Sequence, residues 1–189
     1  MPTALSERIL AMRFALALAA LCVTALPAAA SATLKEGAAA PDFTTSGAFA
    51  GKPFKLHLKE QLRHGPVVLY FFPKSFTEGC TFEAHAFSDA SADFKKMGAR
   101  VIGMSADDQE TLKRFSTQEC RNAFPVATAT PETIRAYEVK LKEGLPLTNR
   151  TSYVIAPNGK VVYAYSDMSW KNHVANTMAA VKAWKTKHR

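Results

Sequence analysis

The sequence predicts an α/β fold in which a mixed, mostly parallel central sheet is flanked by helices and preceded by an N-terminal β-hairpin. Three observations lead there. Val67 to Phe72 is continuously apolar and β-branched or aromatic, as expected of a strand buried on both faces. Strand-like and helix-like segments then alternate through residue 139, the pattern of β-α units on a common sheet. Finally, two strand-like segments flank Pro157-Asn158-Gly159, a hairpin turn that adds an antiparallel edge before the last helix.

Element by element, residues 33–65 carry turn signals at Ser46-Gly47 and Gly51-Lys52-Pro53, with alternation over Phe54 to Leu58, which predicts the hairpin. After the Val67 strand, Phe82, Ala86, Ala90, Phe94 and Met97 recur at helical spacing and predict an apolar helix face. Arg100 to Ala106 reads as a second buried strand. Asp107 or Asp108 can cap a helix reaching Glu119, with Leu112 and Phe115 inward. Phe124 to Ala129 is a third strand, and Thr130-Pro131-Glu132 opens a short helix ending near Val139. Ser152 to Ala156 and Lys160 to Tyr165 form the closing hairpin. A last helix over about 169–185 presents Val174, Met178, Val181 and Trp184 on one face. This order suits a thioredoxin-like fold with insertions.

Composition narrows the options. The chain has 189 residues, 48% hydrophobic and 21% charged, which excludes a disordered or low-complexity protein and fits one domain with an appendage. The appendage is residues 1–32. Arg8 and Arg13 precede an apolar run from Phe14 to Leu26, then Pro27, and Ala30-Ser31-Ala32 ends the segment. This is the layout of a secretory signal peptide, with Met12 an alternative start and an uncleaved anchor the competing reading. Leu21 before Cys22 argues against lipidation, which needs a small residue there. Cleavage after Ala32 leaves residues 33–189 as the domain, in a periplasmic or other exported location. It removes Arg8, Arg13 and Glu7, so the charge changes from +8 to +7. That mild excess, with no nucleic-acid motif, reads as solvated surface, and Lys182, Lys185, Lys187 and Arg189 suit a helix C-terminus. Membrane contact is expected only through the signal peptide.

Three cysteines, Cys22, Cys80 and Cys120, are too few for a disulfide scaffold and too far apart for a paired-cysteine zinc site. Cys80 is the informative one. The segment from Pro73 to Glu83 joins the first core strand to the first long helix, at the strand end where α/β sheets bind ligands. Cys80 falls in the first helical turn, where the dipole and free N–H groups favour a thiolate nucleophile. Thr77, three residues earlier, can turn its hydroxyl to the same pocket.

Pro73, Thr77 and Cys80 match the peroxiredoxin motif P-x-x-x-T/S-x-x-C, and residues 73–89, PKSFTEGCTFEAHAFSD, resemble the bacterioferritin-comigratory or peroxiredoxin Q subfamily with its G-C-T-x-E signature. Ala40-Pro41-Asp42-Phe43 resembles the family's A-P-D-F, and Asn149 to Ile155 resembles its arginine-bearing strand. The resemblance spans roughly residues 33–185 and implies a thiol peroxidase without metal or organic cofactor. Cys80 would be the peroxidatic thiol, reducing hydrogen peroxide and also alkyl hydroperoxides. Arg150 would favour its thiolate and hold the peroxide, Thr77 would align the O–O bond, Pro73 would shield the sulfenate, and Glu83 would orient Arg150. The reductant would be a thioredoxin-like or other external dithiol, and a monomer is the default for this subfamily.

One departure stands out. Many relatives carry a resolving cysteine five residues after the peroxidatic one, and here that position is His85. Cys120 is the only other thiol of the domain. Either it resolves Cys80 in an intramolecular disulfide, which requires local unfolding, or the enzyme uses one cysteine and Cys120 is a buried hydrophobe. Two other functions are open to such a chain. A disulfide carrier lacks its Cys-x-x-Cys, since Glu83 stands at the second position. A copper or redox-sensing module would use Cys80 with His85 and His173, two histidines that read more simply as helix-surface residues.

Overall fold

The computed structural model describes residues 33–188, so the proposed signal peptide lies outside the described residues. Seven strands form one sheet: β1 (Thr44–Phe49), β2 (Lys52–His57), β3 (Val67–Phe71), β4 (Arg100–Ser105), β5 (Val126–Thr128), β6 (Thr151–Ile155) and β7 (Val161–Ser166), in the order β2-β1-β5-β4-β3-β6-β7. The helices are α1 (Leu58–Leu62), α2 (Glu78–Lys96), α3 (Gln109–Gln118), α4 (Pro131–Ala136) and α5 (His173–Lys187), with a 3-10 turn at Trp170–Asn172 before α5.

The expectation of a mostly parallel sheet is corrected. Only β3–β4 and β4–β5 pair in parallel, while β1–β2, β1–β5, β3–β6 and β6–β7 are antiparallel. The crossover helices α2 and α3 enforce the parallel centre, and the two hairpins dock on either side of it.

Strand β3 organises both layers of the core. Its residues alternate, so Val68, Tyr70 and Phe72 pack under α2, α3 and α5 against Ala84, Phe87, Leu112, Phe115 and Val181. Val67, Leu69 and Phe71 face the other side, where Leu58, Ile134, Tyr137 and Tyr153 cover them. The Tyr70 ring stacks on Phe87 with centroids 4.4 Å apart, fixing α2 over the sheet.

Local differences from the sequence reading each have a cause. Ser46-Gly47 is not a turn but lies inside β1. Gly47 is needed there because a Cβ would come within 2.8 Å of the Val126 carbonyl and of the Phe54 ring. The turn is Ala50-Gly51, both with positive φ (49° and 75°). Leu58 leaves the alternation to open α1, burying Leu58 and Leu62 one turn apart. Asp108, not Asp107, caps α3, accepting the Thr111 N–H at 2.7 Å. Helix α2 faces inward with Cys80, Glu83, Ala84, Phe87 and Phe94, while Phe82 is 44% exposed. On α5 the fully buried positions are His173, Thr177 and Val181, and Trp184 is only half-buried, stacked on His188.

Candidate active site

The site forms where β3 ends. The Phe72 carbonyl accepts the buried Thr148 hydroxyl at 2.7 Å, and its N–H continues the ladder to the Met104 carbonyl at 3.0 Å. The following loop is pinned from β4. Asp107 Oδ2 accepts the Ser75 N–H at 2.7 Å and the Ser105 hydroxyl at 2.9 Å. Phe76 takes a left-handed φ of 64°, and its ring meets Phe115 edge-on at 5.3 Å with the Arg114 guanidinium above it. Pro73, half-buried, opens this loop.

Thr77 is the N-cap of α2, with its backbone carbonyl accepting the Thr81 N–H at 2.9 Å. Its hydroxyl does not point into the pocket as the sequence suggested. It donates to the Lys74 carbonyl at 2.9 Å, closing the loop on itself. Two residues into the helix, Cys80 turns inward and is 2% exposed.

Arg150, just before β6, reaches the sulfur from the far side. It is 4% exposed, and its three kinds of nitrogen are committed separately. Nη2 donates to Cys80 Sγ at 3.4 Å, Nη1 to Glu83 Oε2, and Nε to the Met168 carbonyl at 3.0 Å. Burial opposes its charge, but Glu83 and Cys80 outweigh that and raise its pKa. Glu83 is fully buried, and burial pushes its carboxyl up to about 8 against the pull of Arg150. Three groups from the first turns of α2 and the start of β6 thus share one dry pocket: a thiol, a guanidinium and a carboxyl. Such an array can hold a thiolate and present hydrogen-bond donors to a bound oxygen.

Cys120 is fully buried and free, just past the end of α3, and burial raises the pKa of its thiol well above the ordinary value. The chain beside it runs along α2: His85 pairs with Glu119 at 2.8 Å, Ser88 Oγ donates to the Cys120 carbonyl at 2.9 Å, and Arg121 pairs with Asp89 at 3.0 Å. Cys120 therefore lies level with Ser88, eight residues and about 12 Å of helix rise from Cys80. His173 is not a surface residue. It is fully buried, its Nδ1 2.8 Å from Ser152 Oγ and its Nε2 2.9 Å from the Asp167 carbonyl.

The chain matches the AhpC/TSA family over residues 37–164. The chain belongs to that family, the peroxiredoxins. Among its relatives, the chloroplastic peroxiredoxin Q of Arabidopsis thaliana is 35% identical over 159 residues, 80% of this chain and 69% of its own. The peroxidoxin BcpB of Mycobacterium tuberculosis has a solved structure with TM-score 0.69 and 30% identity, covering 79% of this chain and 97% of its own. For Xanthomonas campestris peroxiredoxin Q the values are 0.67 and 28%, with 82% and 99% covered. This peroxiredoxin is accordingly a thiol peroxidase with a thioredoxin-like fold, and peroxiredoxins reduce peroxides with thioredoxin-type reductants.

The structure brings Cys80, Arg150 and Glu83 of this peroxiredoxin together, leaves Thr77 turned aside and sets Cys120 apart. Sequence reasoning missed Asp107 as the loop latch, the Met168 carbonyl, Ser152, His173 and Gly79. Of these only Gly79, beside the cysteine in the motif, carried a local signal. A Cβ there would meet Arg150 Nη2 at 3.3 Å and Trp170 Cδ1 at 3.9 Å. Gly79→Ala is expected to stabilise the helix by up to about 1 kcal/mol while displacing Arg150. Stopped-flow kinetics should show slower peroxide reduction at an unchanged or raised melting temperature.

Burial holds the His173 imidazole below its ordinary 6.5, with the Asp167 carbonyl opposing. Between the folded and unfolded values the folded state binds fewer protons. The stability due to the neutral ring is thus complete above about 6.5 and lost as pH falls through the folded value. Urea unfolding should show wild type losing stability relative to His173→Gln as the pH is lowered below about 6.5.

Proposed function

We propose that Cys80 is the peroxidatic thiol and that it reduces hydrogen peroxide and alkyl hydroperoxides. The observation that carries this is the Arg150 Nη2 donor 3.4 Å from Cys80 Sγ, held there by Glu83 and the Met168 carbonyl. The thiolate attacks one peroxide oxygen, the S–O bond forms as the O–O bond breaks, and the departing alkoxide or hydroxide takes up a proton as alcohol or water. Sulfur loses two electrons and becomes sulfenic acid. Arg150 holds the peroxide and favours the thiolate, Glu83 orients Arg150, and Pro73 shields the sulfenate. A rotation of the Thr77 side chain away from the Lys74 carbonyl aligns the O–O bond. Exposed Phe82 and Met168 beside Trp170 and Arg150 supply an apolar rim suited to an alkyl tail.

The wild type should show a fast second-order fluorescence change with hydrogen peroxide. A rate no faster than that of a free thiol would overturn the assignment.

Resolution is assigned to Cys120. A disulfide needs Cα atoms within about 7 Å, so the first two turns of α2 unwind before the sulfurs meet. The sulfenic acid then condenses with the Cys120 thiol, releasing water, and an external dithiol of thioredoxin type reduces the disulfide. After one equivalent of peroxide, intact mass should fall by two hydrogens in wild type and not in Cys120→Ser. Sulfenate trapped at full yield in wild type would instead establish a one-cysteine cycle.

Export rests on the signal-like residues 1–32, and a periplasmic product whose mass begins at Thr33 is expected. A monomer in sedimentation is the matching expectation for the domain.

A further inference from the structure

Glu83 has two carboxyl oxygens, and the Arg150–Cys80 arrangement uses only one. Oε2 takes Arg150, whereas Oε1 is buried with no hydrogen-bond partner. His173 Nδ1 lies 3.7 Å from it, in a ring that is itself fully buried. The ring's other nitrogen faces a backbone carbonyl, which only accepts, so Nε2 carries a proton. In the neutral ring Nδ1 is then an acceptor, meeting the Ser152 hydroxyl at 2.8 Å and lying beside the unpartnered Glu83 oxygen.

Two lone-pair-bearing atoms 3.7 Å apart in a buried pocket repel each other, and protonation of either group relieves the repulsion. Charge counting gives the same result. When Cys80 is a thiolate, its charge cancels that of Arg150. The buried group is then neutral only if Glu83 and His173 together hold one further proton, either as carboxylic acid with imidazole or as carboxylate with imidazolium. Without that proton the pocket has a net negative charge beside the sulfur, and Arg150 is claimed by the carboxylate.

We propose that His173 is a positioning residue for the Cys80 reaction: across 3.7 Å its ring is coupled electrostatically to Glu83 Oε1, the two groups together hold one proton, and that coupling sets how much of the Arg150 charge is available to the sulfur. Burial raises the carboxyl and lowers the imidazole, so it favours the uncharged pairing of carboxylic acid with imidazole. The other titratable or charged groups around the pair are Tyr70 from β3, Cys80 from α2, Arg150 before β6, Tyr165 from β7, whose ring lies 4.8 Å from His173, and Asp167 in the following loop. Loss of the shared proton on the alkaline side slows the attack on peroxide.

The inference rests on the thiol-peroxidase reading, and the experiment separates the two. The second-order rate of peroxide reduction is measured from pH 5 to 10 in wild type, His173→Gln and His173→Asn. A slow wild type would defeat the thiol-peroxidase reading itself. Glutamine keeps a donor for the Asp167 carbonyl but removes the titratable nitrogen, so a fall of about tenfold at pH 7 and an alkaline decline at a shifted pH are expected. Asparagine keeps a hydrogen-bonding group near the Nδ1 position, so it should recover part of the rate with the decline shifted in the same way. Two variants that fold and follow the wild-type profile would overturn the proposal. As a readout independent of turnover, ring 15N shifts should show His173 titrating differently in Glu83→Gln than in wild type. Identical titrations would also overturn it.

Discussion

Replacing Cys80 by serine is expected to reduce peroxide consumption to the uncatalysed background while leaving the fold intact. The side chain is 2% exposed and its one polar neighbour is the Arg150 guanidinium, which can donate equally well to a hydroxyl. The exchange therefore leaves no buried group without a partner, and melting should move by no more than a surface-like substitution. Chemistry is another matter. A serine hydroxyl is not ionised by a neighbouring guanidinium at neutral pH, and oxygen cannot enter the sulfenic state that defines the reaction. Residual fast reduction in the serine variant would mean that Cys120 reacts directly, against its complete burial and its raised thiol pKa.

The second large effect is expected at Arg150. Arg150→Met fills similar volume but removes the guanidinium donor beside the sulfur, and the rate constant should fall by about 10²–10³-fold, the usual loss of an aligned donor in a buried site. Stability should also drop, by up to about 3 kcal/mol, since the buried carboxyl loses the donor that satisfies its Oε2. Protonation of Glu83, whose carboxyl is pushed up to about 8, keeps the loss from being larger. The double variant Arg150→Met with Glu83→Gln should therefore regain stability without regaining rate. Arg150→Lys should restore little of either, because one ammonium cannot reach Glu83, Cys80 and the Met168 carbonyl in the planar geometry that the guanidinium spans.

The parts of this site legible in the sequence are those carried by short local strings. Cys80 at a helix start after a buried strand follows from the order of elements, whereas Arg150 and Glu83 come from the resemblance of their strand and motif to the family's. The inward face of α2 is hard to see in the sequence because periodicity favours Phe82, Ala86 and Ala90, while Glu83 counts against the face that is actually buried. Ala84, Phe87 and Phe94 turn that face inward, and Arg150 lets the carboxyl go with them. His173 shows the same limit from the other side. A histidine among polar residues at a helix start looks like any surface histidine, and only the fold brings Ser152, Asp167 and Glu83 around it. Asp107 was weighed only as a cap, since nothing local marks a side chain that reaches back 32 residues to Ser75.

The position of Trp170 makes the molecule its own optical reporter. Its ring packs on Phe82 at 5.6 Å and stands beside Gly79, at the doorstep of the reacting sulfur. Trp184, the only other tryptophan, sits at the far end of α5 with His188 stacked on it at 4.7 Å. One indole is thus placed to sense the oxidation state and the other to serve as an internal reference. A Trp184→Phe variant should retain the full peroxide-dependent signal on a lower baseline, and Trp170→Phe should darken it.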